Sequence, residues 1–207
     1  MISGIIIKNK IIRYFKDNTS SYLFYMFAVI IGIIIGIILG KGNDSLIKLL
    51  KTNDENLFDF IVGNAELGSI FWYKLKDIIF AFLIIFVINL HYVSGFINYF
   101  FIGYQSFLFA SSCSAILSLY GFGASVNICM FIVPINILFL FSLIMGAISL
   151  EKRAGYCKEY KLKFYQSFKN NNYLSEFVIS FSVALAICII SSFIIPIFYK
   201  SFVFINY

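Results

Sequence analysis

The chain has 207 residues, 61% of them hydrophobic and only 13% charged, with 26 phenylalanines, a formal net charge of +6 and a mean hydropathy of +0.92. These values exclude an ordinary soluble globular domain and a disordered chain, and the length has room for one membrane domain. Basic charge on so apolar a chain reads as membrane orientation and contact with anionic lipid, not as a nucleic-acid surface.

Residues 1–21 place Ile7, Ile11, Tyr14 and Phe15 on one face, with Lys8, Lys10, Arg13 and Lys16 largely opposite. This basic segment either lies along an anionic leaflet or serves as a plain orienting flank, and in both cases its partner is membrane lipid. The first apolar span covers 22–40. It carries Gly32, Gly36 and Gly40 at strict four-residue spacing, which puts all three on one stripe and lets another helix approach closely. Packing within the molecule and contact with a partner both remain open for that stripe. No small-x-small cleavage site follows Leu39 before Lys41, so this helix is expected to stay in the membrane.

Between Lys41 and Asp77 the chain carries five lysines and six acidic residues, and the pairs Leu46-Ile47, Leu49-Leu50, Leu57-Phe58 and Phe60-Ile61 recur at helical spacing. That pattern predicts short amphipathic helices in an external segment, 41–68, leading to the interfacial pair Trp72-Tyr73.

From Ile78 to Leu150 there are 73 residues without one Asp, Glu, Lys or Arg. A bilayer explains such a run, because each charge at its centre costs roughly 2.5–3.5 kcal/mol. At about 1.5 Å rise per residue and about 30 Å of hydrocarbon, a span takes about 20 residues. Three spans are therefore expected, over 69–90, 98–119 and 125–149. The turns fall where Asn89, His91, Ser94, Gly95 and Asn98 cluster and at Tyr120-Gly-Phe-Gly-Ala-Ser125.

In the second span, Lys74 and Lys76 are placed to snorkel out to headgroups. The third span has a stripe of small residues, Gly103, Ser106, Ala110, Ser114 and Ser118. In the fourth, Pro134 leaves the Met130 carbonyl without its usual donor and should kink the helix. Asn136 beside it needs an interhelical hydrogen bond worth roughly 0.6–2 kcal/mol. A basic loop, 150–173, and a fifth span, 174–199, complete the chain; the span is broken late by Pro196, with Lys200 at its exit.

The loop between the fourth and fifth spans holds Lys152, Arg153, Lys158, Lys161, Lys163 and Lys169, whereas 120–125 has no basic residue and the far end of the fifth span has Lys200 alone. The positive-inside rule then puts this loop and the amino terminus in the cytoplasm and the carboxyl terminus outside. The expected fold is an all-α integral membrane protein with five transmembrane helices and short amphipathic helices in the first external loop.

Catalytic machinery is scarce. His91 is the single histidine and is predicted a membrane thickness away from Ser125, and there is no HExxH, no paired Asp and no Walker A pattern. The four cysteines, at 113, 129, 157 and 188, form no CxxC pair and read as small apolar residues. No enzyme activity, metal or cofactor is expected. The residues singled out, Gly32, Gly36, Gly40, Gly103, Pro134 and Asn136, are helix-packing or partner-contact positions. Two readings stay open on these grounds: a protein that works by holding partners, homo-oligomers included, and the membrane subunit of an ABC-type exporter or self-immunity system.

Several short motifs resemble one family. Arg13-Tyr-Phe-Lys-Asp-Asn-Thr-Ser-Ser-Tyr-Leu-Phe24 runs into the glycine-spaced helix, followed by Ile102-Gly103-Tyr-Gln-Ser-Phe107, Tyr120-Gly-Phe-Gly123, Val133-Pro134-Ile-Asn136 and Ile195-Pro196-Ile-Phe-Tyr-Lys200. Together they are similar to the stage II sporulation protein M family, over nearly the whole chain. The resemblance implies a non-enzymatic anchor in the septal cell membrane of a sporulating cell. Its partners would be wall hydrolases of the stage II sporulation protein D and P type, which carry the catalysis during engulfment.

Overall fold

The computed structural model describes residues 18–41, 67–90, 94–159 and 172–194, with their side chains except those of 119–132 and a few single positions. The expected basic segment up to residue 17, most of the 41–68 segment, His91, the loop from 160 to 171 and Pro196 lie outside the described residues. Everything described is helical or a short turn: α1 (Thr19–Gly40), α2 (Leu67–Ile88), α3 (Ser94–Glu159) and α4 (Asn172–Ile189), the last continued by a π-helical turn, Ile190–Ile194.

Two expectations need correction. The helical hydrogen-bond pattern runs unbroken over Ser94–Glu159, through the predicted turn at 120–125. It also continues nine residues past Leu150, where a loop was expected to begin. A straight helix would hold Asn98 and Glu151 about 80 Å apart, yet the Asn98 amide donates to Glu151 Oε1 at 2.9 Å across 53 residues. α3 therefore reverses between them and forms two antiparallel arms, with no gap in helical assignment. The second arm extends to Glu159 because Arg153, Ala154 and Cys157 are buried rather than released into solvent.

Side-chain register sets the direction of each element. α1 runs parallel to the first arm of α3, since Gly32 meets Gly103, Gly36 meets Phe107 and Ala110, and Gly40 meets Ser111 and Ser114. α4 runs antiparallel to α2, with Phe82 against Phe181 and Phe86 against Phe177. It is also antiparallel to the second arm, where Gly146 faces Phe177 and Ser180 and Ser149 reaches Glu176. Successive elements thus alternate in direction, and Tyr25, Asn89, Asn98, Glu151 and Glu176 gather at one end of the bundle.

The interior is built from Tyr25, Ile78, Phe82, Ile85, Ile102, Leu143, Ile144, Ala147, Ile148 and Ala184. Serines sit among them. Ser106 donates to the Ile102 carbonyl at 2.8 Å, and Ser180 to that of Phe177 at 2.7 Å, so each hydroxyl is satisfied within its own helix at no cost to the apolar surroundings. The outer surface is the reverse of a soluble protein's. Phe24, Phe27, Ile34 and Ile38 on α1, Phe80 and Leu83 on α2, Phe96, Phe100, Ile137 and Leu138 on α3, and Val178 and Ile179 on α4 are all exposed. Among the described residues, three stretches are long and apolar enough to cross a membrane: Thr19–Gly40, Val133–Cys157 and Asn172–Phe193.

Candidate functional site

The closest helix contact is the seam between α1 and the first arm of α3. Gly32, Gly36 and Gly40 are buried, and a Cβ on any of them would strike the opposite helix. On Gly32 it would lie 2.2 Å from the Gly103 carbonyl oxygen, on Gly36 2.6 Å from that of Phe107, and on Gly40 2.9 Å from the Ser114 Cβ. The first two directions point at backbone oxygens, so the glycine Cα–H groups are aimed at carbonyls, a weak contact that recurs at close helix interfaces. Ser111 donates to the Gly36 carbonyl at 3.3 Å and Ser114 to that of Ile37 at 3.4 Å. In lipid, where apolar burial adds little between helices, close backbone approach and such hydroxyl bonds supply the association. Gly32, Gly36, Gly40 and Gly103 all belong to this seam, and the stripe is occupied by the protein's own α3. A partner seated on the glycine face of the first helix, one of the alternatives drawn from its spacing, has no room there.

Pro134 and Asn136 sit on the second arm, outside the seam. Pro134 is exposed and Asn136 half-buried.

At the lower end of the seam lies a polar cluster that the sequence reading did not assemble. Tyr25 donates its hydroxyl to Glu151 Oε1, and the Asn98 amide donates to the same oxygen. Asn98 and Asn89 form a reciprocal amide pair at 3.1 and 3.2 Å, and Asn89 also donates to the Ile85 carbonyl at 2.7 Å. The Tyr99 ring packs on that of Tyr25 with centroids 4.4 Å apart. Tyr25, Asn89 and Asn98 are each at most 1% exposed.

The carboxylate also lies against the start of a helix. Gly95 lies beside it, an added Cβ there falling 3.8 Å from Oε1, so Glu151 faces the start of α3, whose first-turn N–H groups lack helical acceptors and favour a negative charge. One side chain thereby ties α1, the α2 end and both arms of α3 together. A cluster of this kind pins helix register, because any slip leaves a donor or a carboxylate buried without its partner.

Glu151 is the first charge after the uncharged run, where the pattern alone predicts the start of a loop. Asn89 and Asn98 fall in the predicted turn. The available signal was the pair of amides flanking one short connection, each able to complete the other's hydrogen bonding.

Among the described residues, no three His, Cys, Asp or Glu side chains converge on a point where a metal could sit. Geometry thus defines a class: the described residues are helical, three of their stretches are long and apolar enough to span a membrane, and they are held by a glycine–serine seam and a buried carboxylate cluster. Comparison with models of known families, with curated proteins and with solved structures gives no match.

Proposed function

We propose that this chain is a multi-pass cell-membrane protein with five crossings, its amino terminus cytoplasmic and its carboxyl terminus external, acting as a non-catalytic scaffold. The observation that carries the membrane part is the inverted surface. Large apolar side chains point outward from every helix, where a soluble monomer keeps such contiguous patches small, while serine, asparagine and glutamate side chains turn inward, the asparagines and Glu151 bonding one another and the serines bonding backbone carbonyls. The alternating helix directions support five crossings. α2, with Lys74, Lys76 and Asp77 near its start, and the serine-rich first arm of α3 would be the crossings added to the three most apolar stretches. Their polar residues are placed at an end or turned toward a neighbour.

The scaffold part rests on the resemblance to stage II sporulation protein M. It assigns the protein to holding peptidoglycan-degrading partners at the septal membrane during engulfment. Because the glycine stripe is filled from within, the external segment 41–68 is the surface for such partners in this reading. The test is photo-crosslinking from residues in 41–68 and in 160–171 in intact cells, followed by partner identification. Wall hydrolases captured from 41–68 are the expected result. An ATPase captured from 160–171 would replace this function with that of an exporter or self-immunity subunit.

A further inference from the structure

α2 presents two different faces. On the inward one, Phe71, Lys74, Ile78, Phe82 and Ile85 follow one another at helical spacing. Phe71 there meets Phe193 of the π-helical turn, and Phe82 meets Phe177 and Phe181 of α4. Lys74 is half-buried in that row, so the expectation that both lysines snorkel outward fails for it.

The outward face has no neighbour in the described chain that lines it. Lys76, Phe80, Leu83 and Val87 are exposed and recur at spacings of four, three and four, the repeat that lets two helices lie along each other at a shallow crossing angle. Asp77, also exposed, stands beside Lys76. An open hollow of about 380 Å³ lies among these side chains, lined by Lys76, Asp77, Ile79, Phe80 and Leu83, all from α2. Among the described residues, the other exposed charges, Lys41 and Glu159, sit at helix ends, so this is the one outward helix face with charges of both signs within its length. Trp72, 61% exposed, is the kind of side chain that sits at headgroup level. Lys76 and Asp77 follow it by about 6 Å and about 7.5 Å along the axis. A lysine stem spans that depth, whereas a carboxylate on a single methylene does not.

We propose that this face of α2 is covered by the same face of a second copy of the chain, an inference that rests on the membrane reading. Copies inserted in one orientation can be related by a two-fold axis along the membrane normal, which sets the two α2 helices parallel and each residue level with its counterpart. Lys76 of each copy then stands beside Asp77 of the other, and Phe80 and Leu83 fill the facing hollows. The charge pattern is self-complementary, and the acid leaves the lipid together with a counter-charge. Lipid tails or a purely apolar partner supply no such charge.

The full chain, with its native cysteines replaced, carries one new cysteine and is oxidised in intact membranes. Leu83→Cys is expected to give a covalent dimer of the chain, and Val178→Cys, on the exposed face of α4, to stay monomeric. Adding Asp77→Lys to the Leu83→Cys chain sets like charges together and is expected to cut the dimer about tenfold, and adding Lys76→Asp to that variant to restore it. No dimer from Leu83→Cys, equal dimer from Val178→Cys, or a Leu83→Cys adduct with a different protein overturns the interface. A swapped pair that restores nothing overturns the charge pairing on which the choice of partner rests. Resistance of the wild-type protein to carbonate extraction from membranes tests the membrane reading separately.

Discussion

Gly32→Ala is the sharpest probe of the seam. The added methyl would lie 2.2 Å from the Gly103 carbonyl oxygen, where ordinary contact begins near 3.4 Å, so α1 must retreat by about 1.2 Å (3.4 − 2.2). The obstacle is backbone in a helix and cannot rotate away. Such a retreat stretches Ser111 to Gly36, now 3.3 Å, and Ser114 to Ile37, now 3.4 Å, beyond hydrogen-bonding range.

Overpacking costs about 1–3 kcal/mol and each interhelical hydrogen bond about 0.6 kcal/mol, whereas replacing a helical glycine by alanine returns somewhat under about 1 kcal/mol. The net expectation is a destabilisation of about 2 kcal/mol. Reversible unfolding by SDS titration in mixed micelles measures it against Gly155→Ala, where nothing lies within 4 Å of the new methyl and propensity alone should stabilise. If Gly32→Ala matched Gly155→Ala, the seam would not be the close contact described. Gly36→Leu, facing Phe107 and Ala110, should separate the two helices altogether.

The polar cluster gives two further predictions. Tyr25→Phe leaves Glu151 with one donor fewer and should destabilise the fold by about 1–3 kcal/mol; in a double-mutant cycle with Glu151→Gln the two changes should be strongly non-additive, and simple additivity would dissolve the cluster. Cysteines introduced at Gly95 and Glu151, in a chain with the native cysteines replaced, should be joined within one molecule by a short bis-maleimide. A straight α3 would put them about 80 Å apart and give no such product.

Part of this site was legible in the residues. The four-residue glycine spacing of α1 and the small-residue stripe starting at Gly103 each mark a face for close approach, since a side chain's absence is a local property. The polar cluster was not legible, because it joins Tyr25 to a residue 126 positions away and both Glu151 and the two asparagines sit at the edges of apolar runs, where loops and turns are the default reading. Pro134 stands inside the continuous helical assignment of α3, where a kink rather than a break was expected.

By itself the sequence determined the helical character, the apolar segments long enough to cross a bilayer and the stripe where a helix could come close, because hydropathy and spacing act over one or two turns. Only the tertiary structure decided that the stripe is filled by the first arm of α3, that Glu151 is drawn inside by Tyr25 and Asn98, and that Lys74 turns inward while Lys76 does not. Those outcomes depend on which distant groups meet once the helices are packed, and local pattern carries no record of that choice.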